Sequence, residues 1–189
     1  NVSFYNGTNK KNISPTPVIG GVGLIQKLKK PMDHKFKKDN SIIIIVGKTF
    51  GHLEQSVFLE EIHSILDGQP PEINLINEKN NGESVLEIIK KDLVNSVHDI
   101  SNGGLIVALA EMSMGSNYGV KINQPKKLTN SFKYFFGEDQ GRYILEIDKD
   151  NLEKVEQILK NNNIFYENIG LTQKDYFEIQ KELKIDIKE

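Results

Sequence analysis

SIIIIVG, residues 41–47, decides the fold. Its five central residues are apolar and mostly β-branched, and Ser41 and Gly47 bound them, which reads as a strand. A strand with one wet face alternates apolar and polar residues. This one does not alternate, so both of its faces are covered. The surrounding sequence must therefore supply helices for two sides of a sheet.

On its C-terminal side, KTFGHLEQSVFLEEIHSILDG (48–68) turns at Gly51 and continues as a helix. Val57, Phe58, Ile62, Ile65 and Leu66 recur there at helical spacing, and Gly68 is the stop. A second helix starts after Pro71 and runs to about Asp92. Gly82 costs roughly 1 kcal/mol there relative to alanine, so a bend or break is expected at that position. LVNSVHDI (93–100) reads as a strand, Gly103 to Met114 as a helix, and YGVKI (118–122) and RYILEID (142–148) as strands. DNLEKVEQILKNNN (150–163) is an amphipathic helix with Leu152, Val155, Ile158 and Leu159 inward. Two strands close the chain near 164–171 and 176–179. Strands and helices alternate, but the late strands are short and closely spaced. That pattern favours an α+β fold, a mixed β-sheet packed with helices, over a purely parallel doubly wound one.

On the N-terminal side, KLKKPMDHKFKKDN (27–40) is a polar, lysine-rich connector and the best domain boundary. Before it, ISPTPVIGGVGLI (13–25) reads as a strand with close backbone approach at its glycines. The opening NVSFYNGTNKKN is polar, has turn residues and shows no capped helix. It is expected to be the interior of a longer protein.

The 189 residues suffice for one large domain, or one domain plus a piece of another, and 38% hydrophobic content supports a packed core. A formal net charge of −2 removes the electrostatic case for nucleic acid. The lack of cysteine excludes disulfides and cysteine-ligated zinc, and fits a reducing compartment. No apolar run reaches membrane-spanning length and no signal peptide is visible. The expectation is a cytoplasmic protein with neither nucleic acid nor membrane as partner.

Two stretches carry unusual polar chemistry. VHDISNGG (97–104) sets His98, Asp99, Ser101, Asn102, Gly103 and Gly104 between a strand and a helix. Asp99, Ser101 and Asn102 are good N-cap residues. The glycines admit another backbone or a phosphate, and bare N–H groups at a helix start attract anions. A capped turn with a hydrogen-bonded histidine and an anion site are both compatible with this spacing. FFGEDQGR (135–142) places Glu138, Asp139 and Gln140 between aromatics and a strand, with Arg142 able to pair a carboxylate or hold a phosphate. An ordinary solvated turn is the other reading. The four histidines, at 34, 52, 63 and 98, show no HxxxH or HExxH spacing, and His63 reads as plain surface. Asn1 and Ser3 alternate on an extended segment and point to one side. An asparagine carbonyl suits Mg²⁺, and a serine hydroxyl suits a phosphate or amide.

Taken together, NVSFYNGTNKKNISPTPVIGGVGL (1–24), SVHDISNGGLIVALAEM (96–112) and FFGEDQGRYILEI (135–147) resemble the phosphoribosylformylglycinamidine synthases of purine biosynthesis. GHLEQSVFLEEI (51–62) fits a variant found in some bacterial members. The resemblance implies tandem ATP-binding N-type domains and C-type domains of the aminoimidazole ribonucleotide synthetase kind. Residues 1–30 correspond to the end of the second N-type domain and 31–189 to the second C-type domain. The implied reaction joins formylglycinamide ribonucleotide and ammonia at the expense of ATP, with Mg²⁺. A separate glutaminase subunit supplies the ammonia, and the substrate and the rest of the synthetase chain are the other partners. Asn1 takes the place of a metal ligand and Ser3 that of a substrate contact. His98, Asp99, Ser101, Gly103 and Gly104 are expected to form a turn whose exposed N–H groups line the nucleotide or substrate cleft. Glu138, Asp139, Gln140 and Arg142 are also expected along that cleft. No catalytic residue is assigned. Asn102 departs from the family's HDxSDGG, keeping a capping oxygen and losing a charge. The fragment alone is expected to be inactive. The alternatives are a sibling ATP-dependent synthetase acting on aminoimidazole ribonucleotide or selenophosphate chemistry, whose members lack the NVSxYN…PTPVIG pairing, and a non-catalytic module that packs on a partner.

Overall fold

The structure is a computed structural model that describes residues 7–8, 11–12, 19–24, 31–125 and 130–188. It divides into two compact units, Asn1–Pro31 and Met32–Glu189. In the first, β1 (Gly7–Thr8) pairs antiparallel with β2 (Lys11–Asn12). Residues 19–24 adopt no regular structure. Asn1, Ser3 and most of the strand expected at 13–25 lie outside the described residues.

The second unit is one seven-stranded sheet with helices on both faces. Its elements in chain order are β3 (Ile42–Val46), α1 (Val57–His63), α2 (Leu75–Lys90), β4 (Ser96–Ile100), α3 (Gly104–Met114), β5 (Gly119–Ile122), α4 (Ser131–Phe136), β6 (Arg142–Ile147), α5 (Leu152–Asn161), β7 (Tyr166–Gln173), β8 (Tyr176–Ile179) and β9 (Leu183–Asp186). The strand order is β4-β6-β3-β7-β5-β8-β9. Every neighbouring pair is antiparallel except β5 with β8.

β3 runs through the middle of this sheet, and all five of its residues are buried. The pleat sends alternate side chains to opposite faces. Ile43 and Ile45 join a core with Leu105, Leu109 and Met112 of α3 and Phe135 of α4. Ile42, Ile44 and Val46 join a second core with Ile88 of α2 and Val155 and Leu159 of α5. The unbroken apolar run thus feeds two cores. Each fully buried isoleucine contributes about 1.5–3 kcal/mol of transfer free energy.

Two polar side chains fasten the approach to β3. The Glu146 carboxylate on β6 is fully buried and accepts from the backbone N–H of Lys37 (2.9 Å), that of Lys38 (3.0 Å) and the Ser96 hydroxyl (2.8 Å). Thr172 Oγ1 accepts from Ser41 N–H and donates to the Lys38 carbonyl. Burying a carboxylate is costly unless its oxygens are satisfied, and here three donors satisfy them.

The elements depart from the sequence reading in four places. The helix expected over 52–68 is only α1, seven residues long. The Ser56 hydroxyl accepts from Leu59 N–H to start it. Ser64 in the left-handed region (φ 55°) ends it, with Ser64 N–H bonding Glu60 O and Ile65 N–H bonding Leu59 O. That paired C-terminal closure needs a residue able to take positive φ. Gly82 neither bends nor breaks α2, which is continuous over sixteen residues. A Cβ at Gly82 would stand 3.4 Å from the Tyr143 hydroxyl, an ordinary van der Waals contact, so close packing does not require this glycine. The helix α4 and the edge strand β9 have no counterpart in the sequence reading.

Candidate functional site: a carboxylate junction beside an amide-lined cavity

The bend between α4 and β6 is the centre of the site. Gly137 ends α4, and the next residues turn into β6 carrying Glu138 and Asp139. One oxygen of Glu138, Oε1, accepts from Val57 N–H at the start of α1 (2.8 Å) and from Gly103 N–H at the start of α3 (2.8 Å). A single carboxylate therefore caps two helices, where the positive ends of their dipoles favour a negative charge. Asp139 is 5% exposed. Its Oδ2 accepts from Phe50 N–H and Gly51 N–H (both 2.9 Å), and its Oδ1 from His52 N–H (3.2 Å). It pins the loop that leaves β3.

Arg142 completes the bend from inside. It is 1% exposed, its Nε donates to Asp139 O (3.1 Å), its Nη2 to Gly137 O (2.6 Å) and its Nη1 to Thr49 Oγ1 (3.2 Å). The Asp139 carboxylate stands 3.8 Å away. Burial pulls the guanidinium pKa down, and the neighbouring Asp139 charge opposes that shift. Arg142 therefore braces carbonyls of its own loop and is not free for a phosphate. Behind it, burial and the Glu167 carboxylate push the Tyr134 hydroxyl far above its ordinary range, so it stays protonated and donates to Glu167 Oε2 (3.1 Å).

The VHDISNGG turn differs from the expectation in two respects. The N-cap of α3 is Gly103, which has no side chain of its own to cap with, and Asp99, Ser101 and Asn102 do not cap the helix. The glycine amides are also not bare: Gly103 N–H goes to Glu138 and Gly104 N–H to Ser101 O. Both glycines hold left-handed backbone, φ 78° and 73°. A Cβ on Gly103 would reach 2.4 Å from Val107, and one on Gly104 would reach 2.7–2.8 Å from backbone atoms of Phe136 and Gly137. The glycines serve backbone conformation and close packing of α3 on the bend. His98 faces carboxylates at both nitrogens, with Nε2 3.0 Å from Glu111 Oε2 on α3 and Nδ1 3.3 Å from Asp99 Oδ1. It ties β4 to α3. His63 is exposed, with its ring edge against Phe58 at 5.3 Å.

Beside this junction lies a cavity of about 520 Å³. Asp139 and Gln140 line it; His98, Asp99, Ser101, Gly103, Gly104, Glu138 and Arg142 do not. Its walls come from the loop after β3 (Lys48, Phe50), the start of α2 with its cap (Asn74, Asn77, Glu78, Asn81) and the turn before β7 (Asn163, Phe165). Asn74 caps Asn77 N–H and Asn81 donates to Gly141 O (2.9 Å), which fixes α2 against the bend. The sequence reading missed Lys48, His52 and this asparagine wall. Asparagines at 74, 77 and 81 recur at helical spacing, a polar stripe of poor helix formers where packing alone would not put them.

The described residues can be weighed against the groups the resemblance implied. Among them, no cluster of three His, Asp or Glu side chains is placed to hold a metal. Both Asp139 oxygens and Oε1 of Glu138 are occupied by backbone donors. In the cavity, Glu72 and Glu78 oppose the single ammonium of Lys48. That balance does not suit a triphosphate, which needs excess positive charge.

Residues 38–180 match the family described as AIR synthase related protein, C-terminal domain. The chain belongs to this family. Its α+β sheet with helices on both faces is the fold of that family. The chain is similar to the phosphoribosylformylglycinamidine synthase subunit PurL of Pelagibacter ubique, with 46% identity over 99% of this chain and 26% of that protein. It is also similar to the PurL subunit of Rhodopseudomonas palustris strain HaA2, with 40% identity over 100% of this chain and 26% of that protein. It spans about a quarter of the length of these relatives. Among solved structures, Thermotoga maritima PurL complexed with FGAR aligns with a TM-score of 0.66 and 15% identity, covering 83% of this chain and 29% of that one. At that identity the match speaks for the fold alone. The resemblance read from the three motifs is borne out.

Proposed function

We propose that this chain is the C-terminal portion of a phosphoribosylformylglycinamidine synthase subunit. The longer protein converts formylglycinamide ribonucleotide, ATP and ammonia to the amidine, ADP and phosphate in purine biosynthesis. The observation that carries this reading is the 46% identity to the Pelagibacter ubique subunit across 99% of the chain. Within that protein the described unit acts as a brace. Glu138, Asp139 and Arg142 fix the loops around the cavity, and the bend presents the exposed Gln140 there. The nucleotide phosphates, and the ligands of Mg²⁺ other than Asn1, belong to other parts of the longer protein. Asn1 and Ser3 are the proposed contributions of this chain to metal and substrate. A glutaminase subunit supplying ammonia and a cytoplasmic location belong to the same proposal.

The test is an assay of the full-length subunit containing this chain, with formylglycinamide ribonucleotide, ATP, Mg²⁺ and ammonium. Substrate-dependent release of ADP and phosphate, one of each per amidine formed, is expected. No release in the presence of all four components would overturn the reading. The 189 residues alone are expected to give no turnover, and measurable turnover would overturn the brace assignment.

A further inference from the structure

The helix α1 and the start of α2 break the rule that governs the rest of the unit. α1 buries none of its residues. Ile62 is 66% exposed and Leu66 74%, and beyond them Ile73, Leu75 and Ile76 are 63%, 75% and 72% exposed. Elsewhere in the unit, most residues of this kind fill the two cores. Scattered exposed apolar residues are ordinary, but a concentration of them within one short stretch marks an interaction surface.

This stretch is held in shape. Phe58 packs inward on Phe136, with ring centroids 4.5 Å apart. Gln55 Nε2 donates to Gly68 O (2.7 Å) and Gln69 N–H donates to Glu54 Oε2 (2.7 Å), so the two ends of an arm spanning residues 54–69 are laced together. Glu138 holds the first amide of α1. The arm therefore presents its apolar side chains from a fixed frame, as a docking face requires.

We infer that the exposed apolar face of 62–76 is the seat of another domain of the same longer polypeptide, one that presents an apolar face with a basic rim. The inference rests on the reading under Proposed function. Two observations choose this occupant. The relatives are about four times as long as this chain, so most of such a polypeptide lies outside it and is tethered to it. A tethered domain meets the face at high effective concentration, whereas a second copy or a separate protein bears the full cost of association. The carboxylates beside the face, Glu60, Glu61, Asp67, Glu72 and Glu78, outnumber the single ammonium of Lys79, so the complementary surface is basic.

Carbene footprinting of the full-length polypeptide, at a concentration where it is monomeric, tests the inference. Leu86 on α2, 48% exposed, is the internal reference. Labelling of Ile62, Leu66, Leu75 and Ile76 is expected to be about fivefold or more below that of Leu86, because a packed interface core excludes the reagent as water is excluded. The double variant Leu66→Lys, Ile76→Lys is expected to restore labelling of Ile62 and Leu75. Labelling equal to that of Leu86 in the unmodified protein overturns the inference. Protection that appears only on dimerisation, or only on adding a separate glutaminase subunit, also overturns it. The same preparation is assayed for ATP-dependent amidation. Protection without turnover defeats the functional reading and leaves the surface standing; turnover without protection does the reverse.

Discussion

The helices α1 and α3 begin at the same carboxylate oxygen, yet they have opposite fates. Glu138 accepts the amide of Val57 for one and the amide of Gly103 for the other. α3 buries Gly104, Leu105, Ala108, Leu109, Met112 and Ser113, while α1 buries nothing. Capping contributes about 1 kcal/mol to a helix, whereas a buried face contributes several times that. An isolated seven-residue helix is too short to persist on propensity alone. α3 is thus held by its packing. α1 is held by its caps, by the Phe58 stack and by whatever covers its outer face.

The most damaging change to this comparison is Gly104→Ala. It forces a non-glycine into left-handed backbone and drives a methyl into the Phe136–Gly137 backbone, with a loss of about 3–5 kcal/mol expected in urea denaturation. α3 would separate from the bend, and α1 would lose its anchor with it. Asp139→Ala comes next. It strands the amides of Phe50, Gly51 and His52 and leaves Arg142 short of a countercharge, for about 2–4 kcal/mol by the same measurement.

Glu138→Ala separates the two helices from each other. A loss of about 1–3 kcal/mol is expected, with hydrogen exchange accelerating in α1 and staying slow in the middle of α3. Equal acceleration in both would mean that α3 also depends on the shared cap. Ile62→Ser has the smallest expected effect, within about 0.5 kcal/mol in the 189-residue chain. A larger loss would show that α1 packs on this unit after all.

The sequence made the sheet legible because β3 is apolar at every position and fits only a doubly covered strand. α3 and α5 were readable for a related reason: their buried residues recur at helical spacing between clear stops. α1 misled because Val57, Phe58, Ile62, Ile65 and Leu66 have the spacing of a core-facing helix, and spacing does not say whether a core lies opposite. β9 was hidden because Leu183, Lys184, Ile185 and Asp186 form an edge strand with two charged residues among four and no fully buried position. The polar residues of the bend stand out in the sequence, but their hydrogen-bond partners do not. Sequence shows that Glu138 and Asp139 are acceptors between single glycines at 137 and 141; it does not show that the donors are the protein's own amides. Those amides come from residues 35 to 89 positions away, a pairing that only the folded chain discloses.

Glu146 sets a schedule for the nascent protein. The amides of Lys37 and Lys38 that it receives lie 109 and 108 positions earlier in the chain. During synthesis the segment leading into β3 stays unfastened until β6 has emerged, so the sheet closes late and nearly all at once. A ribosome stalled before residue 146 would hold a chain whose central strand has neither its β6 neighbour nor its lead-in fixed, the kind of exposed apolar strand that chaperones bind.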